Sequence, residues 1–276
     1  MDSQESKSSP YKVQVLDRAL GILDYISEAP SGLTLIEITQ RLQLHKSTVH
    51  RLLMILEQNR FVTRKGNKYY LGLKLFILGN KVANDLDVRK CAPAYLEQLV
   101  SETGETAHLC MLDDGKVLYL EKVEASRTVR VPSNVGGRYP IHCGGAGKAL
   151  LAYLPKQELD LMLKGCSFEA FTSNTATTSE QLKRELDFVR QRGFSIDNEE
   201  FEEGLKCIGA PVWDHTDNVI AAISIAGPSS RITDGKIQTL ANSVVKAANN
   251  LSYQLGYRVK IQQEKVRIAE PVGIGL

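Results

Sequence analysis

The chain has 276 residues, 43% hydrophobic and 24% charged, with a net charge of +2, values that exclude collagen-like, disordered and disulfide-scaffold classes and leave room for two globular domains. The charge is unevenly spread: residues 1–81 carry 12 basic and 7 acidic side chains, residues 82–276 carry 22 and 25, which predicts a basic nucleic-acid-binding module joined to a mildly acidic one. The polar start has no apolar core for a secretory signal and no run approaches the roughly 18 apolar residues of a membrane span, so a cytoplasmic protein with no membrane partner is expected.

Residues 1–10 read as a disordered arm. A helix is expected over 13–28, with Leu16, Leu20, Leu23 and Ile26 as its core stripe and Pro30-Ser31-Gly32 as its stop. Thr34-Leu35-Ile36-Glu37 is a capping box, in which hydroxyl and carboxylate satisfy each other's backbone N–H groups. It opens a second helix with Leu35, Ile38 and Leu42 buried. After the short turn Gln43-Leu44-His45, a third helix is expected over 46–59. Its core face is Val49, Leu52, Leu53 and Leu56, at i, i+3, i+4, i+7. Its other face leaves Lys46, Ser47, Thr48, His50 and Arg51 near the start. Taken alone, such a face reads as well for solvation as for contact with DNA.

Two features favour DNA. Residues 41–74 contain eight Lys or Arg against one acid, Glu57, the electrostatic footprint of nucleic-acid binding. Residues 61–64 and 68–71 form β-like runs around Lys65-Gly66-Asn67, a hairpin with a basic tip, where a winged helix-turn-helix carries its wing. Arg51 is expected to read a base, with Lys46, Ser47, Thr48 and His50 beside it, and Arg64, Lys65 and Lys68 to hold phosphates.

Residues 73–87 read as a linker helix, apolar on more than one face, with Leu73, Phe76, Ile77 and Val82 as candidates for an interdomain or dimer contact. From residue 88 the pattern changes. A helix is expected over 88–103, strands over 106–112 and 116–122 around Asp113-Asp114-Gly115, and a further strand over 129–132. Helices are expected over 147–153 and 180–192, strands over 194–198, 205–212 and 219–226, a long helix over 233–254 and a frayed tail beyond. Hairpin strands with grouped helices indicate an α+β domain with an antiparallel sheet. The boundaries are then an arm at 1–10, a winged helix-turn-helix domain at 11–72, the linker helix at 73–87, a ligand-binding domain at 88–259 and a tail at 260–276. The five cysteines (Cys91, Cys110, Cys143, Cys166, Cys207) are dispersed, with no C-x-x-C, which fits a reducing compartment and argues against a disulfide framework or zinc finger.

With these segments in place, the chain resembles an IclR-family transcriptional regulator. The resemblance is carried by LDRALGILDYI, by LTLIEITQRLQLHKSTVHRLLMILEQNRFV and by YYLGLKL. In the second half it is carried by Gly193, Asp197, Glu200, Cys207, Ile208, Gly209, Val212 and Asp214. Trp213 stands where the family usually has Phe, Tyr or His, and keeps the position aromatic. The resemblance implies a winged helix domain followed by a GAF-like effector-binding domain, and dimers or dimers of dimers. It implies an effector site with backbone N–H groups from Gly145 and Ala146, an acid and a thiol at Asp197 and Cys207, and the hydroxyl of Ser224. A second serine is often found two places on, where this chain has Ala226.

The chemistry of that set suits a small carboxylic acid. A helix start after a glycine turn attracts an anion, whereas ionised Asp197 repels one and must be neutral or accept from a ligand hydroxyl. Competing patterns fall short. Gly144-Gly145-Ala146-Gly147-Lys148-Ala149 lacks the first glycine and the final Ser/Thr of a phosphate loop and the third glycine of a dinucleotide fingerprint, so Lys148 is expected as a helix-surface cation. Pairing of Cys207 with His142 or His215 has no local catalytic signature. A metal on Asp197, Glu200 and Cys207 lacks clustered histidines. The expectation is a ligand-responsive DNA-binding regulator, not an enzyme, without cofactor or metal. It should engage a pseudo-palindromic double-stranded operator as a homo-oligomer and answer to a small carboxylate. The alternatives are a DNA-binding protein whose second domain only dimerises, and a small-molecule enzyme with an appended DNA-binding domain.

Overall fold

The computed structural model describes residues 13–85, 87–127 and 131–258, without the side chains of residues 80 and 82–85. The expected arm and tail lie outside these residues, as does the Val82 side chain. The chain divides into two compact units, Met1–Leu86 and Asp87–Leu276.

The first unit is built from α1 (Gln14–Ser27), β1 (Leu33–Thr34), α2 (Leu35–Leu42), α3 (Lys46–Gln58), β2 (Val62–Lys65), β3 (Lys68–Leu71) and α4 (Leu73–Asp85). The capping box forms: Thr34 N–H donates to the Glu37 carboxylate at 2.7 Å and Glu37 N–H to the Thr34 hydroxyl at 3.3 Å. Gln43, in the left-handed region at φ 52°, ends α2 and turns the chain into α3. Ile38, Val49, Leu52 and Leu53 close on one another, with Val62 and Tyr69 contributed by the hairpin. Strand order is β1-β3-β2, so the hairpin is tied to the chain just before α2. β1 is two residues long, too short to carry a period, and was not expected.

The stripe expected on α1 is corrected. Ile22 and Ile26 are the buried positions, with Ala19 and Leu23 partly buried, whereas Leu16 and Leu20 are exposed. Two apolar rows run along this helix, and spacing alone does not choose between them. On α4, Leu73, Phe76, Ile77 and Leu78 are likewise exposed.

The second unit contains α5 (Asp87–Thr103), β4 (Thr106–Asp113), β5 (Lys116–Val123), β6 (Arg138–Tyr139), α6 (Gly145–Leu151), α7 (Lys156–Lys164), α8 (Ser179–Arg192), β7 (Ser195–Asn198), β8 (Leu205–Trp213), β9 (Val219–Pro228) and α9 (Asp234–Gln254). The six strands form one sheet in the order β6-β5-β4-β9-β8-β7, every pair antiparallel. Helices α5 and α9 pack together and against the sheet, while α6 joins Cys110, Val117, Ala222, Leu182 and Leu186 in a separate core. β6 and α7 were not expected. Of the strand expected at 129–132, residues 128–130 lie outside the described residues and 131–132 are irregular.

One packing contact positions the site. Every residue of α6 is buried. A Cβ on Gly147 would lie 2.5 Å from the Ile141 carbonyl oxygen, and one on Gly209 would lie 2.6 Å from that of Gly145. The helix therefore meets β8 at Gly209, and the loop before it at Ile141, backbone to backbone, and only glycine fits at these contacts.

Candidate nucleic-acid interface and ligand cleft

In the first unit, α3 exposes Lys46, Ser47, His50 and Arg51, with Thr48 partly covered. The hairpin turns at Gly66-Asn67, with Lys65 opposite Lys68. A groove between helix and hairpin is bordered by Lys46, His50, Arg64, Asn67 and Tyr69. Asn67 was missed as a candidate; its exposed amide at the tip is a polar group that composition alone does not single out. The three basic side chains of the hairpin are differently engaged. Arg64 folds back to donate to the Gly66 carbonyl at 2.9 Å, Lys65 lies 5.4 Å from the Tyr70 ring centre, and Lys68 donates to the Ser31 carbonyl at 3.2 Å.

In the second unit, sheet register draws the candidate residues into two rows. Asp197 lies opposite Cys207, and Cys207 opposite Ala226. The next row is Ser195, Gly209, Ser224 and His108. A cleft opens over the first row. Ala146, Asp197, Cys207 and Ala226 border it, together with Tyr119, Tyr139 and Phe201. The aromatic wall was not foreseen: its three members come from β5, β6 and a loop, and only the fold brings them together. Gly145 and Ser224 are placed behind the lining. Gly145 backs onto β8, and its carbonyl accepts from Ser195 Oγ of β7 at 2.5 Å. Ser224 is buried and hydrogen-bonded to the Cys110 thiol.

The polar end of the cleft is a connected network. The Cys207 thiol donates to Asp197 and receives the Gly145 N–H. Asp197 Oδ1 also accepts from Glu200 N–H at 2.7 Å. Burial, then the neighbouring Glu200 charge, raises the Asp197 pKa to about 6. Burial likewise pushes the Cys143 thiol at the rim up to about 12 and Cys207 well above its ordinary value, so both are protonated and poor nucleophiles. The turn carrying Glu200 is held by residues 172–175: Thr175 Oγ1 donates to the Glu200 carbonyl at 2.6 Å and Thr172 Oγ1 to that of Glu199 at 2.7 Å.

Lys148 corrects the sequence reading. It is not a surface cation: it is fully buried, with its ammonium 2.5 Å from Glu200 Oε1. The helix that carries it is covered on all sides, so its side chain has no route to water and requires an internal counter-charge. Glu200 Oε2 has no partner. His142, weighed against Cys207, lies instead 3.6 Å from the Cys166 sulfur through Nδ1, with Nε2 2.9 Å from the Glu169 carbonyl. Among the described residues, no three metal-capable side chains gather, and no helix is long and apolar enough to cross a membrane.

A helix-turn-helix with a hairpin wing, joined to an α+β unit with a lined cleft, defines a DNA-binding transcriptional regulator of two domains. The family comparisons agree: residues 15–66 match the IclR helix-turn-helix domain and residues 80–253 match "Bacterial transcriptional regulator IclR C-terminal". The chain belongs to the IclR family. It is 36% identical over 247 residues to the regulator XynR of Escherichia coli, covering 89% of this chain and 98% of that one. It is 37% identical over 260 residues to KdgR of Dickeya chrysanthemi, covering 93% and 83%. It is 34% identical over 249 residues to the transcriptional repressor IclR of Escherichia coli, covering 89% and 91%. Among solved structures, the Thermotoga maritima IclR superposes with a TM-score of 0.75 at 33% identity, covering 89% of this chain and all of that one. The family and these relatives are transcriptional regulators, not enzymes.

Proposed function

We propose that this regulator answers to a small carboxylic acid held in the cleft of its second domain. The observation that carries the reading is the meeting, across one cavity, of the first turn of α6 with Asp197 and an aromatic wall. The first N–H groups of a helix lack partners within it. Gly145 N–H is taken by Cys207, while Ala146 and Gly147 border the cleft. The carboxylate sits at this helix start. Gly145 and Ser224 support from behind, one through Cys207 and the other through Cys110. Lys148 supplies no direct contact, since its charge is spent on Glu200. Asp197 completes the polar end by taking up a proton when the anion enters, or by accepting from a ligand hydroxyl.

On the DNA side, Arg51 reads a base, with Lys46, Ser47, Thr48 and His50 around it, and Lys65, Arg64 and Lys68 face the backbone. One winged helix covers too little DNA for useful specificity, so two copies act on a pseudo-palindromic operator in the cytoplasm, as a dimer or a dimer of dimers. The exposed apolar residues of α4 offer the pairing surface. The double change Phe76→Asp, Ile77→Asp yields monomers or abolishes operator binding; a variant still dimeric in sedimentation and binding normally rejects that surface.

The effector reading is tested by screening short carboxylic acids for a thermal shift of the purified protein, then titrating the protein–DNA complex with any that bind. Coupling requires different affinity of the acid for the DNA-competent and incompetent arrangements. Asp197→Asn is the informative variant. Gly145→Val is not, because a Cβ there already stands 3.1 Å from the Gly209 nitrogen and the larger side chain would displace α6. Acids that shift neither stability nor DNA release, in wild type or variant, reject the reading.

A further inference from the structure

His108 takes no part in the reading above, yet it adjoins the cleft. It stands on β4 in the row shared by Gly209 and Ser224, between Ser224 and Lys122, and is 1% exposed. Its Nε2 lies 2.8 Å from the Ser133 hydroxyl, and its Nδ1 has no partner. Its ring packs on Tyr119 at 4.9 Å between centres. Tyr119 and Ser133 both border the cleft. The irregular segment carrying Ser133 is pinned by Lys122, whose ammonium donates to the carbonyls of Ser133 at 2.7 Å and Val131 at 3.2 Å.

Burial, and then the charge of Lys122, lowers the His108 pKa to about 3, so the imidazole is neutral across the physiological range. A neutral imidazole has one N–H and one bare nitrogen. Leaving a buried N–H without an acceptor is the costlier of the two vacancies. The proton therefore resides on Nε2, where it donates to Ser133, and the unpartnered Nδ1 carries the lone pair. With its oxygen accepting from His108, Ser133 cannot direct its own hydrogen there, and that hydrogen is free for the cleft.

We propose that Ser133, oriented by His108, is a hydrogen-bond donor that selects a carboxylic acid carrying a second oxygen away from its carboxylate. Ser133 touches the ligand; His108 is a positioning residue. The proposal rests on the reading of the cleft as an acid site. It adds a donor from the segment after β5, a different element from the α6 start, and so gives the cleft a second polar anchor.

The test uses the full chain and matched probes: propionate to hexanoate, each beside its terminally hydroxylated partner, with binding read by calorimetry. In wild type, at one chain length or more, the hydroxy acid binds about threefold to tenfold tighter than the plain acid. Ser133→Ala removes that ratio, so that each hydroxy acid binds no tighter than its plain partner. His108→Phe reduces it, and His108→Gln, which keeps an N–H donor, restores part of it. Nitrogen NMR of labelled His108 supplies a reading that a packing role would not produce: protonated Nε2 and bare Nδ1 at neutral pH. An Nδ1-protonated ring, or a ratio that survives Ser133→Ala, overturns the inference while the acid site stands. Failure of every acid to bind overturns the acid site and the inference together.

Discussion

Lys148 and Lys46 are both lysines near the start of a helix, and the two halves of the molecule use them in opposite ways. Lys46 is exposed at the first turn of α3, in a field of cations with a groove beside it. Lys148 is enclosed in α6 and bound to Glu200. In the DNA-binding half, charge is kept in water and works at long range. In the ligand half, charge is buried and works by holding Glu200, and through Glu200 N–H the acid Asp197, at the polar end of the cleft. The same residue type is thus left free in water in one domain and serves architecture in the other.

The comparison is broken most forcefully by removing each charge. Lys148→Ala leaves Glu200 buried without a counter-charge and should destabilise the protein by about 3–5 kcal/mol. Lys46→Ala, an exposed change, should stay within about 0.5 kcal/mol while weakening DNA binding. Urea unfolding of the two variants measures both. Adding Glu200→Gln to Lys148→Met should recover part of the loss, since no lone charge then remains inside. If Lys148→Ala unfolds like wild type, the ion pair contributes nothing and the contrast fails.

Proton linkage sharpens the contrast. Asp197 titrates near 3.8 unfolded and about 6 folded. Between these values the native state binds more protons, so this group's contribution to stability is full below about pH 4 and is lost as pH rises to about 6. The expected span is about 2–3 kcal/mol. Asp197→Asn should remove this fall, visible as a flatter pH profile of the urea midpoint. It should also remove the rise in carboxylate affinity expected of wild type as pH drops from 7.5 to 6. A wild-type profile that is flat through pH 4–6 contradicts the burial argument.

Legibility followed the same division. The helix-turn-helix, its capping box and the wing were readable because half-exposed elements print their burial as a period, and Val49, Leu52 and Leu53 stand where spacing placed them. α1 was misread because both of its rows are apolar. The sheet was readable from its hairpins, but the cleft was not. Asp197, Cys207 and Ser224 came from family resemblance, and register then put Ser224 in the row behind. Lys148 was read as exposed because a seven-residue helix buried on every side has no polar face to compare it with. Tyr119, Tyr139 and Phe201 carry no common spacing, so nothing short of the fold could join them.

Within the DNA-binding half, Arg51 and the wing should separate by kind of effect. Arg51→Ala should cost about 1–3 kcal/mol of operator binding and relax preference at one base pair if the side chain reads a guanine edge. Anisotropy titrations against a set of single-base operator variants measure this. An equal loss on every sequence assigns Arg51 to the phosphates instead.

Lys65→Ala should have the smallest effect, and its interpretation depends on salt. Lys65 is exposed at the hairpin tip and lies across from Lys68, a like charge, so its loss should leave stability within about 0.5 kcal/mol of wild type. Lys68 is committed to the Ser31 carbonyl and Arg64 to Gly66, whereas the partner of Lys65 is the Tyr70 ring. A ring restrains a cation without consuming its donors, which leaves Lys65 the freest of the three for phosphate. Each phosphate neutralised contributes about 0.9 to the slope of log affinity against log salt. The variant should therefore bind every sequence more weakly by a similar factor, with a slope shallower by about one. An unchanged slope would take Lys65 off the backbone. A slope changed by Lys68→Ala but not by Lys65→Ala would reverse their roles and show that the Ser31 contact gives way when DNA binds.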